Sequence, residues 1–492
     1  MKKVVIIGSG VSGLAAGIHA IKSGFETLVL EKNPVPGGEC TGWDRRGYHI
    51  DGCIHWMMGT HPDSALFRAW CSVGALGDQV EVYQPDCFNA VQMEGRIVKL
   101  YRDRHRFRQQ LLDLSPADSN QIDFLCRMIE ESMDFQDPPM KAFDLMNGYE
   151  IIKTVLSMRK KRRVMKSMSM SVEDYVKRFK SPIIRRMVMN VIPPFYSAFV
   201  MAFTLGSFMS GNGDIPMGRS KAMSLRMVER FKALGGTLEL SCPVREIIVD
   251  YGRASGVTTA EGQIISADYI IPSCNIHHTM EDLLNSRYRI HDLDKMDRHP
   301  ESYPIETCVL AAFSLDRELQ DFPHSLAVIT SAFGFEDSER DTILIGSYSD
   351  QSGFAPSGKS VITVMLNANY DWWKEKRRDL IEYRKEKNRI GWKLMEIMER
   401  EIPEWKGGLE LLDVATPITF ERYCHAYRGG YMAYAITPHS GIGMLPGRIG
   451  KIRNLFPAGQ SMMMPGGLPV ALISGIYAVQ RICAAEKIKW SL

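Results

Sequence analysis

Three glycines and one acid near the start of the chain carry its sharpest chemistry. Gly8, Gly10 and Gly13 stand in G-x-G-x-x-G spacing, and Glu31 closes the apolar run that follows. Such a set recognises a dinucleotide. Gly8 permits a tight turn, Gly10 lets backbone approach a pyrophosphate, and Gly13 lets helix and strand pack closely. A carboxylate at Glu31 can accept hydrogen bonds from an adenosine ribose and repels a 2′-phosphate, which disfavours NADP. The pattern has this meaning only where strand, turn, helix and strand stand around it in order. Val4-Val5-Ile6-Ile7 is a continuous apolar run, as in a parallel strand buried on both faces, and Thr27-Leu28-Val29-Leu30 is a second. Between them a helix is expected with Leu14, Ile18 and Ile21 on one face. Its N-terminus would turn free N–H groups and the positive end of its dipole toward the phosphates. That context separates the motif from an ordinary helix-capping turn.

The rest of the chain sets bounds. At 492 residues it exceeds what one core usually serves, so two interleaved domains are expected. A formal net charge of +3 is nearly balanced and gives no ground for a nucleic-acid partner. The ten cysteines occur singly, without a C-x-x-C pair, and the apolar start breaks off at Gly8 instead of continuing as a secretion signal. These features suit reduced thiols in a cytoplasm. His277 and His278 are adjacent, but neighbours in sequence rarely face one ion and no acid or cysteine completes a set, so no metal is expected. Twenty-nine methionines fit either a plastic apolar pocket or plain core filling. Val191 to Phe208 approaches a membrane span in length. Pro193-Pro194 and several Ser and Thr residues favour instead a buried helix lining a cavity. Residues 158–170 are the most basic stretch, read either as a solvated face or as a peripheral membrane contact. Strand-like runs at Thr307 to Phe313, Thr342 to Tyr348 and Ser360 to Met365 suggest a mixed sheet, and Asp371 to Glu401 a charged surface helix.

Beyond Glu31 the sequence resembles a flavoprotein group. Pro36-Gly37-Gly38 is similar to the turn that runs alongside an FAD pyrophosphate. Gly47 to Trp56, GYHIDGCIHW, resembles the G-[YF]-x-[FI]-D-x-G-x-H segment of the phytoene desaturase, carotenoid isomerase and retinol saturase family, His55 included. Further matches are Pro243-Val244 with Ile247, the turn from Ser273 to Thr279, the DQSGFAPSGK turn from Asp350, and Thr416-Pro417-Ile418-Thr419 with Arg422-Tyr423. Near the end stand Asn454 to Gln460, read as a last buried strand, and Pro465-Gly466-Gly467-Leu468-Pro469 before a helix from Val470. One departure is Glu39, where many members carry arginine.

The resemblance implies an α/β fold in which a Rossmann-type FAD-binding domain (1–75, 212–285 and 440–492) interleaves with an α+β substrate domain of mixed sheet plus helices (76–211 and 286–439). It implies FAD held by Gly8, Gly10, Ser12, Gly13, Glu31, Lys32, Gly37, Gly38, Glu39, Val244, Gly459, Gln460, Gly467 and Leu468. His55 is a candidate proton donor or orienting group. The plainer alternative is a histidine bonded to backbone or to the cofactor. Tyr431 and Tyr434 are candidates to line the flavin's face, and Asp51 is expected to fix its own turn. The implied activity is FAD-dependent chemistry on a carbon–carbon double bond of a hydrophobic, conjugated or isoprenoid-like molecule: saturation, desaturation or cis–trans isomerisation through flavin N5. No second nucleotide unit is visible, so electrons would pass to or from a quinone, another protein or a docked NAD(P)H. Two rivals share the fold. A flavin amine oxidase fits the GYHIDGCIHW segment less well. A non-catalytic protein like the Rab GDP-dissociation inhibitors has a degraded FAD site, whereas the glycines and Glu31 are intact here.

Overall fold

The computed structural model describes residues 1–134, 137–159 and 162–492. The fold is mixed α/β, with a Rossmann-type parallel sheet and a larger mixed sheet. Strands β1 (Lys3–Ile7), β2 (Glu26–Leu30), β3 (Thr237–Glu239) and β4 (Tyr269–Pro272) form the parallel sheet in the order β3-β2-β1-β4. The apolar runs behave as their composition demands, with Val4, Val5, Ile6 and Val29 wholly buried. Helix α1 (Val11–Lys22) crosses from β1 to β2 and is buried along nearly its whole length. It is covered by α2 (Gly467–Glu486), which approaches so closely that a Cβ on Gly475 would lie 2.3 Å from the Ser12 carbonyl oxygen. By length and composition α2 could cross a membrane, yet 67% of its apolar window is buried against the rest of the chain, as in a core helix. It begins at Gly467, earlier than the sequence suggested, because Pro469 is tolerated in a first helical turn.

The expected last strand does not form as a regular ladder. Residues 454–458 do run beside β4: Ile270 N donates to Asn454 O at 2.9 Å, Phe456 N to Ile270 O at 3.1 Å and Ala458 N to Pro272 O at 2.9 Å. Only isolated bridges result, because Pro272 has no N–H to donate to Phe456 O.

The mixed sheet has seven strands, in the order Leu409–Ala415, Cys308–Leu315, Ser360–Asn367, Ser338–Ser347, Ser325–Phe335, Cys87–Met93 and Arg96–Tyr101. Its pairs are antiparallel except that of Ser325–Phe335 with Cys87–Met93, which is parallel and brings residues 87–101 into a sheet otherwise built from 308–415. The helix Ala198–Met209, capped by Ser197 Oγ accepting from Phe199 N, is buried as expected. The charged segment after it in sequence divides into Tyr370–Lys376 and Leu380–Glu401, the second started by Asp379, whose carboxylate accepts from Ile381 N and Glu382 N. Part of the basic stretch 158–170 lies outside the described residues.

Candidate functional site

The carboxyl ends of β1, β2 and β4 open onto a cavity of about 2020 Å³. A single ligand usually occupies ~300–1,000 Å³, so there is room for a dinucleotide and a second molecule. At the strand end, Gly8 N donates to Leu30 O at 2.8 Å and Gly37 N to Ser9 O at 3.1 Å, while Gly10 pairs with Gly37. The two glycine turns therefore form one lip. Gly8, Gly10, Ser12, Gly37 and Gly38 all line the cavity. Gly13 does not. It lies beneath, where a Cβ would sit 2.0 Å from Gly8 O and 2.6 Å from Ser273 Oγ, so its part is helix–strand contact. Gly10 differs, since a Cβ there would approach protein no closer than 3.8 Å. The space before it is open to a ligand.

Glu31 is buried at the end of β2, and its carboxylate is fully engaged. Oε2 accepts from Ser9 N and Ser9 Oγ, each at 2.8 Å, and Oε1 from Asn33 N and Nδ2, each at 2.9 Å. A carboxylate offers about four acceptor positions, so a ribose hydroxyl would displace one of the two side-chain donors, both of which can rotate away. Lys32 Nζ donates to Arg422 O at 2.8 Å and Asn33 Nδ2 to Tyr423 O at 3.0 Å, drawing the helix Pro417–Cys424 over this end. Burial lowers the Lys32 ammonium below its ordinary value. Val244 lines the same cavity with Pro243.

The C-terminal turn closes the other side. Gly459, Gln460, Gly467 and Leu468 line the cavity, and the N-cap residues Gly10 of α1 and Gly466 of α2 supply no side-chain cap. Gln460 Oε1 accepts from Gly467 N at 2.9 Å, and its Nε2 donates to Glu39. Burial pushes the Glu39 carboxyl up to about 8, so a neutral acid stands on this side of the cavity. Open space before Gly10, the uncapped N-terminus of α1 and an acid at the end of β2 together fit a dinucleotide.

His55 and Tyr431 come together on the cavity wall, their ring centres 6.2 Å apart at 51°. Tyr431 donates its hydroxyl to Cys53 O at 3.1 Å. His55 Nε2 is buried without a hydrogen-bond partner among the described residues. Burial lowers its pKa to about 4, Asp51 opposing and Arg219 adding to the fall. The ring is thus neutral at pH 7. Tyr434, expected beside Tyr431, points elsewhere: its hydroxyl donates to Asp297 and lies 3.1 Å from His277 Nε2. The chain bends at residues 431–433 and sends the two rings apart. His277 and His278 likewise diverge, the first to Asp297 and the second to Asp282.

Asp51 fixes the turn before His55. Its carboxylate accepts from Cys53 N at 3.1 Å, Ile54 N at 3.0 Å, Ser220 N at 2.8 Å and Ser220 Oγ at 2.7 Å. Arg219, which the sequence did not single out, completes this support. Its Nη1 donates to Ile54 O at 3.0 Å, its Nη2 reaches Asp350 at 2.9 and 3.2 Å, and its guanidinium lies 4.5 Å from the Tyr348 ring centre. Both members of the ion pair are almost wholly buried. Glu306 also lines the cavity and was not foreseen. No periodicity marks either residue. Only the three-dimensional pairing reveals them.

Residues 6–72 match the model of the NAD(P)-binding Rossmann-like domain. Over 97% of its length the chain is 24% identical to all-trans-retinol 13,14-reductase of Danio rerio, spanning 86% of that protein. It is 23% identical to a lycopene-forming phytoene desaturase of Paracoccus sp., over 89% of this chain and 88% of that one. With the chloroplastic prolycopene isomerase of Daucus carota it shares 21% identity over 98% of this chain and 80% of the relative. The chain resembles this family from end to end. Among solved structures, cyclohexylamine oxidase from Brevibacterium oxydans has a TM-score of 0.58 at 14% identity, covering 99% of both chains, which shows a common fold.

Proposed function

We propose that the chain is an FAD-dependent oxidoreductase acting on carbon–carbon double bonds of a hydrophobic, conjugated or isoprenoid-like substrate, by saturation, desaturation or cis–trans isomerisation. The observation that carries the reading is continuity: one cavity runs from the glycine turns to a wall of Phe88, Ile192, Phe195, Phe199 and Phe203. A long apolar molecule in that part would lie beside a cofactor seated on the turns. Bound FAD would supply two-electron chemistry at N5. Gly8, Gly10, Ser12, Gly37 and Gly38 would receive its pyrophosphate, Glu31 its ribose, and Gln460, Gly467 and Leu468 its isoalloxazine end. Glu39 would stand near that end as a neutral acid, and Lys32 and Val244 on the adenosine side. His55 and Tyr431 would border the substrate. In this reading the FAD domain comprises 1–75, 212–285 and 440–492.

Electrons would be exchanged with a quinone, a protein or a docked nicotinamide. The substrate would be drawn from a membrane surface. In support, Tyr149, Ile152 and Leu156 line the cavity yet are 75%, 60% and 50% exposed on the helix Gly148–Arg159, just before the basic stretch. Spacings of three and four place them on one helix face. The test is anaerobic. The flavin is reduced photochemically, a conjugated polyene is added, and flavin absorbance is followed while chromatography tracks the polyene. Reoxidation with a product two hydrogens heavier supports a reductase, and a changed isomer with the flavin still reduced supports an isomerase. An unreacted polyene in both directions, with rapid reduction of the oxidised flavin by an amine, would overturn the reading in favour of an amine oxidase.

A further inference from the structure

We propose that Glu306, held by Tyr196, exchanges the proton with substrate carbon in this cavity. The inference rests on the double-bond reading above. Tyr196 donates its hydroxyl to Glu306 Oε2 at 2.9 Å, and Oε1 has no hydrogen-bond partner among the described residues. Both side chains line the cavity. Both are also pinned to the segment 431–436. Tyr431 N donates to Glu306 O and Ser197 N to Ile436 O, each at 2.8 Å, and Ile305 pairs with Tyr434. The same segment abuts the C-terminal glycine turn, with Ala433 N donating to Pro465 O at 3.0 Å. Segment 431–436 therefore ties Glu306 to the turn proposed for the isoalloxazine. Glu306 lines the same cavity as Gln460, Gly467 and Leu468 of that turn.

The other titratable groups around it are less fit for the task. His55, at about 4, carries no proton to give at neutral pH. Burial holds the Tyr196 and Tyr431 phenols and the Cys308 thiol far above neutrality. Glu39 is engaged with Gln460. Burial raises Glu306 to about 7, the bond from Tyr196 opposing, so both of its forms are populated where a general acid–base works best. In the reducing direction the π bond breaks and two C–H bonds form. One takes the hydrogen and electron pair that a reduced flavin supplies, leaving it oxidised. The other takes the Glu306 proton, and the carboxylate is reprotonated from solvent. Desaturation reverses each transfer, with Glu306 as base.

The test uses the full chain loaded with FAD, and its variants. Infrared difference spectra between pH 5 and 9 should show a carboxylic acid titrating near 7 in the wild type that is lost in Glu306→Gln, while the Glu39 and Glu336 acids titrate in both; wild-type and variant spectra that coincide overturn the inference. With the flavin photoreduced and all-trans-retinol as probe in D2O, Glu306→Gln should lose at least ~10²-fold in single-turnover rate while keeping its flavin spectrum. The wild-type rate should fall above about 7, where the acid form is lost. Tyr196→Phe should still turn over with that limb moved upward, because the phenol bond favours the carboxylate. Wild-type rate and deuterium incorporation in Glu306→Gln would refute the assignment alone. A wild type that converts no polyene would bring down the double-bond reading and this inference with it.

Discussion

Gly10 and Gly13 belong to one motif, yet their substitution by alanine should break different things. At Gly13 the new methyl would meet Gly8 O at 2.0 Å, a backbone atom that no rotamer change can move. Helix α1 has little room to retreat. On its other sides Gly475 leaves only 2.3 Å for a Cβ against Ser12 O, and Gly17 only 2.7 Å against Phe231. Overpacking costs about 1–3 kcal/mol, and this unyielding case lies at the upper end. Alanine's helix propensity returns about 1 kcal/mol, leaving a net loss of about 2 kcal/mol, or roughly 30-fold in the folding equilibrium. At Gly10 the backbone sits at φ −66° and ψ 176°, open to any residue, and the methyl would have ordinary contacts at 3.8 and 3.9 Å. The cofactor-free Gly10→Ala protein should be as stable as wild type, or up to about 1 kcal/mol more so, since alanine restricts the unfolded chain. Its methyl occupies the approach to the pyrophosphate, so FAD affinity should fall by at least ~10²-fold, about 2.7 kcal/mol. Thermal midpoints of the cofactor-free proteins and FAD titrations followed by flavin fluorescence measure the two effects separately. Wild-type FAD affinity in Gly10→Ala would refute the placement of the pyrophosphate. An unchanged midpoint in Gly13→Ala would refute the packing argument.

The remaining predictions concern polar groups buried around the cavity. Asp350→Asn leaves the Arg219 guanidinium buried and unpaired and should cost about 3–5 kcal/mol in urea unfolding, while the double change Arg219→Met with Asp350→Leu should recover most of it. Glu39 is raised in the folded state from 4.5 to about 8, so the unfolded chain releases its proton first. Relative to Glu39→Gln, wild type should lose stability as pH rises through that window and run parallel above it; parallel urea midpoints from pH 5 to 9 would exclude a buried neutral acid. His55→Leu removes a buried Nε2 that has no protein partner, so stability should hold or rise. If His55 touches substrate or cofactor, single-turnover rate or FAD affinity should nevertheless fall tenfold or more, and neither changing would remove it from the site.

What could be read from the sequence follows from which signals are local. The β1–α1–β2 unit was legible because buried parallel strands are unbroken apolar runs and the glycines punctuate them at fixed spacing. The division of the charged segment was also available, since Asp379 followed by Glu382 is a helix-start signature inside an otherwise continuous pattern. The last strand runs beside β4 as its apolar composition suggested, and its ladder is broken by Pro272 of the distant partner strand, which the local sequence does not show. Tyr434 was placed with Tyr431 by proximity in sequence, although the chain bends at residues 431–433 and parts the two rings. Arg219–Asp350 and Tyr196–Glu306 were beyond reach. Each joins residues more than a hundred positions apart, and neither partner sits in a repeating pattern.

These long-range pairs share a consequence for how the site assembles. Asp51 holds the His55 turn to Ser220, Arg219 joins that turn to Asp350, and Gln460 joins the N-terminal lip at Glu39 to the start of α2. Every tie spans segments that interleave along the chain and meet at the cavity. The site therefore cannot form from the first segment alone, even though that segment carries the whole glycine motif. A dinucleotide seated across the lip and the start of α2 would touch both members of the Glu39–Gln460 tie and bind only the assembled form. It should raise the unfolding midpoint with ligand concentration, and the gain should be smaller where one of these ties has been cut and the lip and α2 are no longer held together.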